Sequence, residues 1–89
     1  MEITFDPLKN QVNLKKHGVS LLEARIIDWE TALVWRDDRR EYGEVRECAL
    51  GMIGDRVYCV VFVDREEARR IISLRKANLR EAKYYVEQT

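Results

Sequence analysis

One histidine, one proline, two cysteines and four glycines are all that this chain of 89 residues carries of the types that most often mark metal sites, kinks, cross-links and turns. With a single histidine and no helix pairing histidines or carboxylates at ligand spacing, a metal centre has no donor set to build on, and none is expected. Cys48 and Cys59 stand alone inside apolar runs and read as buried thiols of a reducing compartment. The longest apolar run, Val57 to Val63, is the length of a strand and too short for a membrane span. The opening residues Met-Glu-Ile-Thr-Phe show no basic region followed by an apolar one, so a secretion signal is not expected and the cytoplasm is the expected compartment. Phosphate-binding loop, dinucleotide fingerprint and serine elbow are all missing, and with them any expected cofactor. There is no repeat or linker either, which leaves one domain over residues 1–89.

Net charge is also missing, since 16 basic residues balance 16 acidic ones. The distribution is uneven. Between Pro7 and Leu22 stand Lys9, Lys15 and Lys16 with no acid, and between Arg69 and Lys83 stand Arg69, Arg70, Arg75, Lys76, Arg80 and Lys83 with only Glu81 against them. Should these two stretches meet in space, a neutral protein would carry a positive face able to hold a phosphate backbone. Two solvated faces tied by local ion pairs are the competing reading.

What is present, 46% apolar and 36% charged residues, suits a small α+β domain. Glu2 to Phe5 reads as a strand. Asp6 is a suitable N-cap, Pro7 fits the first helical position, and His17-Gly18 ends a helix running to about Lys16. Ser20 and Glu23 have capping-box spacing and predict a second, shorter helix through Leu22 and Ile26. Four strands follow: Thr31 to Trp35, Glu44 to Ile53, Val57 to Val63 and Arg69 to Arg75. A turn at Gly54-Asp55 pairs Ile53 with Arg56, placing Leu50 opposite Cys59 and Arg46 opposite Val63. A loop at Arg65 to Ala68 pairs Asp64 with Arg69 and puts Tyr58, Phe62, Ser73 and Arg75 on one face. Asn78 caps a last helix with Leu79, Ala82 and Val86 inward and Arg80, Lys83 and Tyr84 outward. The run Thr31 to Trp35 reads as an edge strand, open to a second copy, giving a homodimer, or to a partner segment.

The inventory left for chemistry is arginine, lysine, carboxylate, tyrosine and one imidazole, which suits attack of a ribose 2′-hydroxyl on the adjacent phosphate without a metal. His17 is the one side chain that ordinarily titrates near neutrality, although a cation at a helix end also complements the dipole. Glu44 and Arg46 share a side of the predicted strand, where Glu44 could take a proton and Arg46 hold phosphoryl oxygens; a strand-edge ion pair accounts for them equally well. Arg70, Ser73, Arg75 and Lys76 sit in or beside an apolar element, where charge is costly unless it reaches solvent or an anion. Arg75 offers a planar fork to a phosphate. Tyr84 could stack a base, donate a proton or simply cap a core. Trp29 and Trp35 read as packing or partner contacts.

Three blocks carry a resemblance. Phe5-Asp6-Pro7 with Lys9, Asn13, Lys16-His17-Gly18-Val19-Ser20 and Glu23-Ala24; Gly43-Glu44-Val45-Arg46; and Arg70-Ile71-Ile72-Ser73-Leu74-Arg75-Lys76-Ala77 with Arg80, Glu81 and Tyr84 together resemble the signatures of the BrnT family of ribonuclease toxins. Leu74 and Leu21 depart from the residues usual in the family, in apolar exchanges that touch packing. The resemblance implies a RelE-like twisted antiparallel sheet of four to five strands with helices on one side. It also implies RNA cleavage that halts translation, which the residue inventory leads us to expect as a metal-independent endoribonuclease, together with a BrnA-like ribbon-helix-helix antitoxin that neutralises it and contact with operator DNA only through that antitoxin. The positions it carries over are His17, Glu44, Arg46, Arg70, Ser73, Arg75, Lys76, Glu81 and Tyr84, shared positions without assigned roles. Taken with the residue chemistry, the expected catalytic residues are His17, Glu44, Arg46, Arg75 and Tyr84, and the expected RNA-binding residues are Lys9, Lys16, Arg70, Ser73, Lys76 and Arg80. The alternative of another class is a non-catalytic module docking a partner protein or nucleic acid.

Overall fold

A computed structural model describes all residues 1–89. Its elements are β1 (Glu2–Phe5), α1 (Pro7–His17), a short 3-10 helix (Leu21–Ile26), β2 (Leu33–Arg36), β3 (Glu47–Ile53), β4 (Arg56–Arg65), β5 (Ala68–Lys76) and α2 (Leu79–Gln88). The strands form one sheet in the order β1-β5-β4-β3-β2.

The α+β class holds, but the sheet is mixed, not antiparallel throughout. β1 runs parallel to β5, with Ile3 beside Arg69 and Phe5 beside Ile71. A parallel neighbour needs a long crossover, and here the whole intervening chain supplies it. Nor do the helices share one side. α1 and the 3-10 helix cover a face whose core includes Leu21, Ala24, Val60, Phe62, Ile71 and Leu74, while α2 seats Tyr85 on the opposite face against Leu50, Val57 and Cys59.

Asp6 caps α1 by accepting the Leu8 N–H, and Gly18 closes it in the left-handed conformation. The predicted second α-helix is a 3-10 helix instead. Leu21, Ala24 and Ile27 are the buried positions, a spacing of three that 3-10 geometry lines up on one face. Ser20 accepts from Leu22 N–H in place of a capping box, and Leu22 and Ile26 point outward.

The hairpin register at Gly54-Asp55 is as expected, Ile53 opposite Arg56 and Leu50 opposite Cys59. The ladder stops at Glu47 opposite Phe62, so Glu44 and Arg46 lie in the loop before β3 and the expected Arg46 to Val63 pair is not formed. Between β4 and β5, Asp64 faces Arg69 as expected, but a bulge at Val61/Phe62 shifts the register. Val61 then faces Ser73 and Cys59 faces Arg75, with Ile72 as the additional residue. One added residue reverses the facing of everything beyond it, so Ser73 and Arg75 leave the expected company of Tyr58 and Phe62 and join the thiol side.

On α2, Ala82 and Tyr85 turn inward, and Leu79 and Val86 are exposed, the reverse of the expected rotation for those two. The capping box at Asn78 and Glu81 fixes the first turn, and Glu81 is drawn toward the sheet by Arg75. Tyr85 ends its burial with its hydroxyl 3.2 Å from Thr31 Oγ1. At Gly51 a Cβ would lie 2.7 Å from Ile27 Cγ2, so glycine allows the chain after the 3-10 helix to press on β3.

Candidate active site

Cross-strand registers place two rows of side chains on the α2 side of the sheet. One row runs Trp35, Cys48, Val61, Ser73; the next runs Leu33, Leu50, Cys59, Arg75. Tyr85 of α2 packs on the second row. Over the first opens a cleft of about 510 Å³, lined by Trp35, Asp37, Ser73, Arg75, Glu81 and both thiols among others. Burial raises both thiols, Cys59 to about 11, so they stand protonated in the floor of the cleft.

Arg75 is fixed by Glu81 through two hydrogen bonds, Nη1 to Oε1 at 2.8 Å and Nη2 to Oε2 at 2.9 Å. Glu81 Oε1 also accepts the Asn78 N–H at 2.9 Å, closing the α2 cap. These bonds hold the Glu81 carboxyl below its ordinary range, with the Arg75 guanidinium the leading cause.

Asp37, which sequence reasoning did not single out, stands buried beside the cleft. Its two oxygens accept Arg39 Nε at 2.8 Å and Arg39 Nη2 at 2.9 Å, and the Tyr42 hydroxyl at 3.1 Å. Arg39 holds this carboxyl well below the usual carboxylate range. The Asp37 N–H donates to Arg46 O at 2.8 Å, so one residue ties both ends of the loop preceding β3. That loop walls a second cleft of about 590 Å³, which shares Asp37 with the first and includes Tyr42, Glu44 and Arg46. The Arg46 guanidinium stacks 4.1 Å from the Tyr42 ring centre. Its Nε is buried without a partner.

His17 ends α1, half-buried, and burial together with the charges of Lys16 and Arg75 lowers its imidazole below the ordinary 6.5. It reaches this end of the sheet because α1 lies along β5 beyond the end of β1. There Asn13 takes the place of a missing strand: its side chain accepts Leu74 N–H at 3.1 Å and donates to Leu74 O at 2.8 Å and Val19 O at 2.9 Å.

Of the residues expected to act, Ser73 and Arg75 share the main cleft. Arg80 and Tyr84 line an adjoining apolar groove of about 490 Å³, joined to it through Trp35 and Glu81. Glu44 and Arg46 belong to the loop cleft. His17, Lys9, Lys16, Arg70 and Lys76 line none of these three, and Lys9, Lys16 and Lys76 are exposed. The basic residues are thus divided between connected clefts and the surface outside them instead of meeting in one pocket. Several are already matched to carboxylates: Arg36 to Asp38, Arg39 to Asp37, Arg65 to Glu44, Arg69 to Asp64 and Arg75 to Glu81. Arg69 is also stacked on Trp29 and Phe62, a packing role on the opposite face. No three His, Cys, Asp or Glu side chains are grouped as ligands for a metal ion, and no helix is long and apolar enough to cross a membrane.

Residues 5–81 match the sequence model of the family described as ribonuclease toxin, BrnT, of type II toxin-antitoxin system. The chain belongs to the BrnT family. Its fold is similar to the crystal structure of the Brucella abortus ribonuclease toxin, BrnT, with 28% sequence identity, a TM-score of 0.69, and coverage of 88% of this chain and 97% of that one. No curated protein matches it in sequence. As a BrnT-family ribonuclease toxin, the chain has RNA as its target and an antitoxin as its partner.

Proposed function

We propose that this BrnT-family toxin is a metal-independent endoribonuclease, of RelE-like fold, that cuts RNA by attack of the 2′-hydroxyl on the adjacent phosphorus. Arg75, fixed by Glu81 in an open cleft with Ser73 beside it, is the observation that carries the reading. A planar guanidinium held rigid at a cleft floor neutralises charge on the phosphoryl oxygens without reorganising during the reaction.

His17 serves as the base. Its lowered proton affinity keeps the ring neutral at pH 7, able to take the 2′-hydroxyl proton. The 2′-oxygen bonds to phosphorus, the bond to the 5′-oxygen breaks, and Tyr84, exposed on α2 next to the groove, supplies the proton to the departing 5′-oxygen. The products are a 2′,3′-cyclic phosphate and a 5′-hydroxyl end. Lys9, Lys16 and Lys76, all exposed, steer the RNA toward the cleft, and Arg80 borders the groove on which a base rests. In the cytoplasm such cleavage halts translation until a BrnA-like ribbon-helix-helix antitoxin covers the toxin, and operator DNA is reached only through that antitoxin.

Chelator-treated protein, freed of its antitoxin and checked for fold by circular dichroism, is expected to cut single-stranded RNA and leave cyclic phosphate ends. Intact RNA after incubation with folded protein would sink the reading. Binding that depends on Arg75 with no turnover would make the chain a docking module.

A further inference from the structure

Beyond the main cleft, at the β3-start and β4-end side of the sheet, stands a second group of charges that the cleavage step leaves unused. The Glu44 carboxylate accepts Arg65 Nη2 at 2.8 Å. Arg65 closes β4, and Arg70 enters β5 opposite Val63. Arg46 lies in the loop just before Glu47, the first residue of β3, and lines the same cleft as Glu44. Arg70 and Arg65 stand on the same side of the sheet, one opposite buried Val63 and the other two residues beyond it on β4. The charges of Arg46 and Arg70 reach Glu44 and act with Arg65 to keep its carboxyl ionised. Neither Arg46 nor Arg70 has a carboxylate partner of its own. One guanidinium is bonded to Glu44, a second lines the same cleft, and a third stands on the same side of the sheet as the first.

We propose that Arg46, Arg65 and Arg70 form a second anion site, for a backbone phosphate flanking the one that is cut, and that Glu44 is its resident stand-in, displaced from Arg65 when RNA binds. The inference rests on the ribonuclease reading. Three features carry it. The Glu44 to Arg65 pair is open to water, with 31% and 54% of the two side chains exposed, and an exposed pair of this kind is weak enough to exchange. Arg46 is held in advance by its stack on Tyr42, so ordering it adds little on binding. Arg70 and Arg75 sit on the same strand, β5, so one RNA chain laid along that strand meets the cutting site and the second site in turn. The plain alternative is that Glu44 and Arg65 merely tie the loop to β4, in which case RNA affinity is indifferent to both.

The experiment is anisotropy of a labelled, uncleavable 2′-O-methyl RNA oligomer with the full chain, over a series of salt concentrations. Glu44→Gln is expected to tighten binding roughly three- to tenfold and to add one contact to the salt dependence, a slope increase of about 0.7 for a single strand. Arg65→Gln and Arg70→Gln are each expected to weaken binding by a similar factor and lower the slope by about 0.7. Arg70 lies outside the ion pair, so its variant stays informative even if the other two lower the melting temperature. Unchanged affinity and slope in Arg65→Gln and Arg70→Gln overturn the site. So does slower cleavage at saturating RNA in Glu44→Gln at unchanged affinity, which would make Glu44 a proton acceptor. Loss of antitoxin binding alone in these variants overturns it too, assigning the arginines to the protein partner. If RNA binding depends on Arg75 but ignores Arg65 and Arg70, only the second site falls. If the wild-type chain binds no RNA at low salt, the ribonuclease reading falls with it.

Discussion

Arg75 and Glu81 are joined by two parallel hydrogen bonds of 2.8 and 2.9 Å, which tie the floor of the cleft to the first turn of α2. The same carboxylate completes the helix cap through Asn78. Orientation of the guanidinium and seating of the helix therefore share one anchor.

A lysine in this place keeps the charge but cannot make the fork. Arg75→Lys is expected to lower single-turnover cleavage by about 10²-fold or more, the scale of losing one oriented donor to a developing oxyanion. Comparable melting temperatures for the two proteins would establish that the loss is chemical. Cleavage within threefold of wild type would remove Arg75 from the reaction.

Asn13 makes three hydrogen bonds from one buried amide, standing in for a strand along β5. Asn13→Ala leaves Leu74 N–H, Leu74 O and Val19 O without it and opens a small cavity. A loss of about 2–4 kcal/mol is expected, read as a lowered urea midpoint at unchanged slope. A change under 1 kcal/mol would mean that water satisfies those groups.

His17 is the assigned base, so activity must fall when it is protonated. With its proton affinity lowered by burial, Lys16 and Arg75, the acid limb of the rate profile is expected to centre below pH 6.5 and to plateau above it. His17→Gln is expected to abolish that limb and lower the plateau about 10²-fold or more. A limb that survives the substitution assigns the titration to another group.

Much of this arrangement is legible in the amino-acid sequence. Caps, turn residues and apolar runs are local signals, and they locate seven of the eight elements by type, from Asp6-Pro7 at α1 to Asn78 at α2. Features decided by distant partners leave no such local mark. The parallel placing of β1 depends on where β5 runs out of other neighbours. The bulge at Val61/Phe62 has no signature in a run of valines, yet it decides which side Ser73 and Arg75 face. The three-residue spacing of Leu21, Ala24 and Ile27 is visible in the sequence, but the capping-box spacing of Ser20 and Glu23 points to an α-helix instead. In the site, the motif residues, Glu44 and Glu81 among them, are legible as positions, while the ion pairs they form with Arg65 and Arg75 are not. Asp37, in the run Asp37-Asp38-Arg39-Arg40, resembles a solvated loop, and only the fold shows that one of its two aspartates turns inward.

That inward aspartate sets a pH dependence of stability. In the folded chain Asp37 is held well below the usual range by Arg39, whereas in the unfolded chain it takes up a proton near the ordinary value of about 3.9. Above that value both states are ionised and the stabilisation is complete. As pH falls through it, the unfolded state binds a proton that the folded state refuses, and stability declines toward the folded value. Glu44 and Glu81 are shifted in the same direction by Arg65 and Arg75, so Asp37 carries part of the slope only. Because Arg39 is largely exposed, solvent weakens the pair and the effect stays well short of a fully buried one. Asp37→Asn is expected to be less stable at pH 7, where its amide presents N–H to the Arg39 N–H groups, and to lose stability less steeply between pH 5 and 3 on the scale set by an ordinary carboxylate near 3.9. Urea unfolding across that range decides the matter, since curves for the two proteins that stay parallel would assign the acid sensitivity to the other carboxylates.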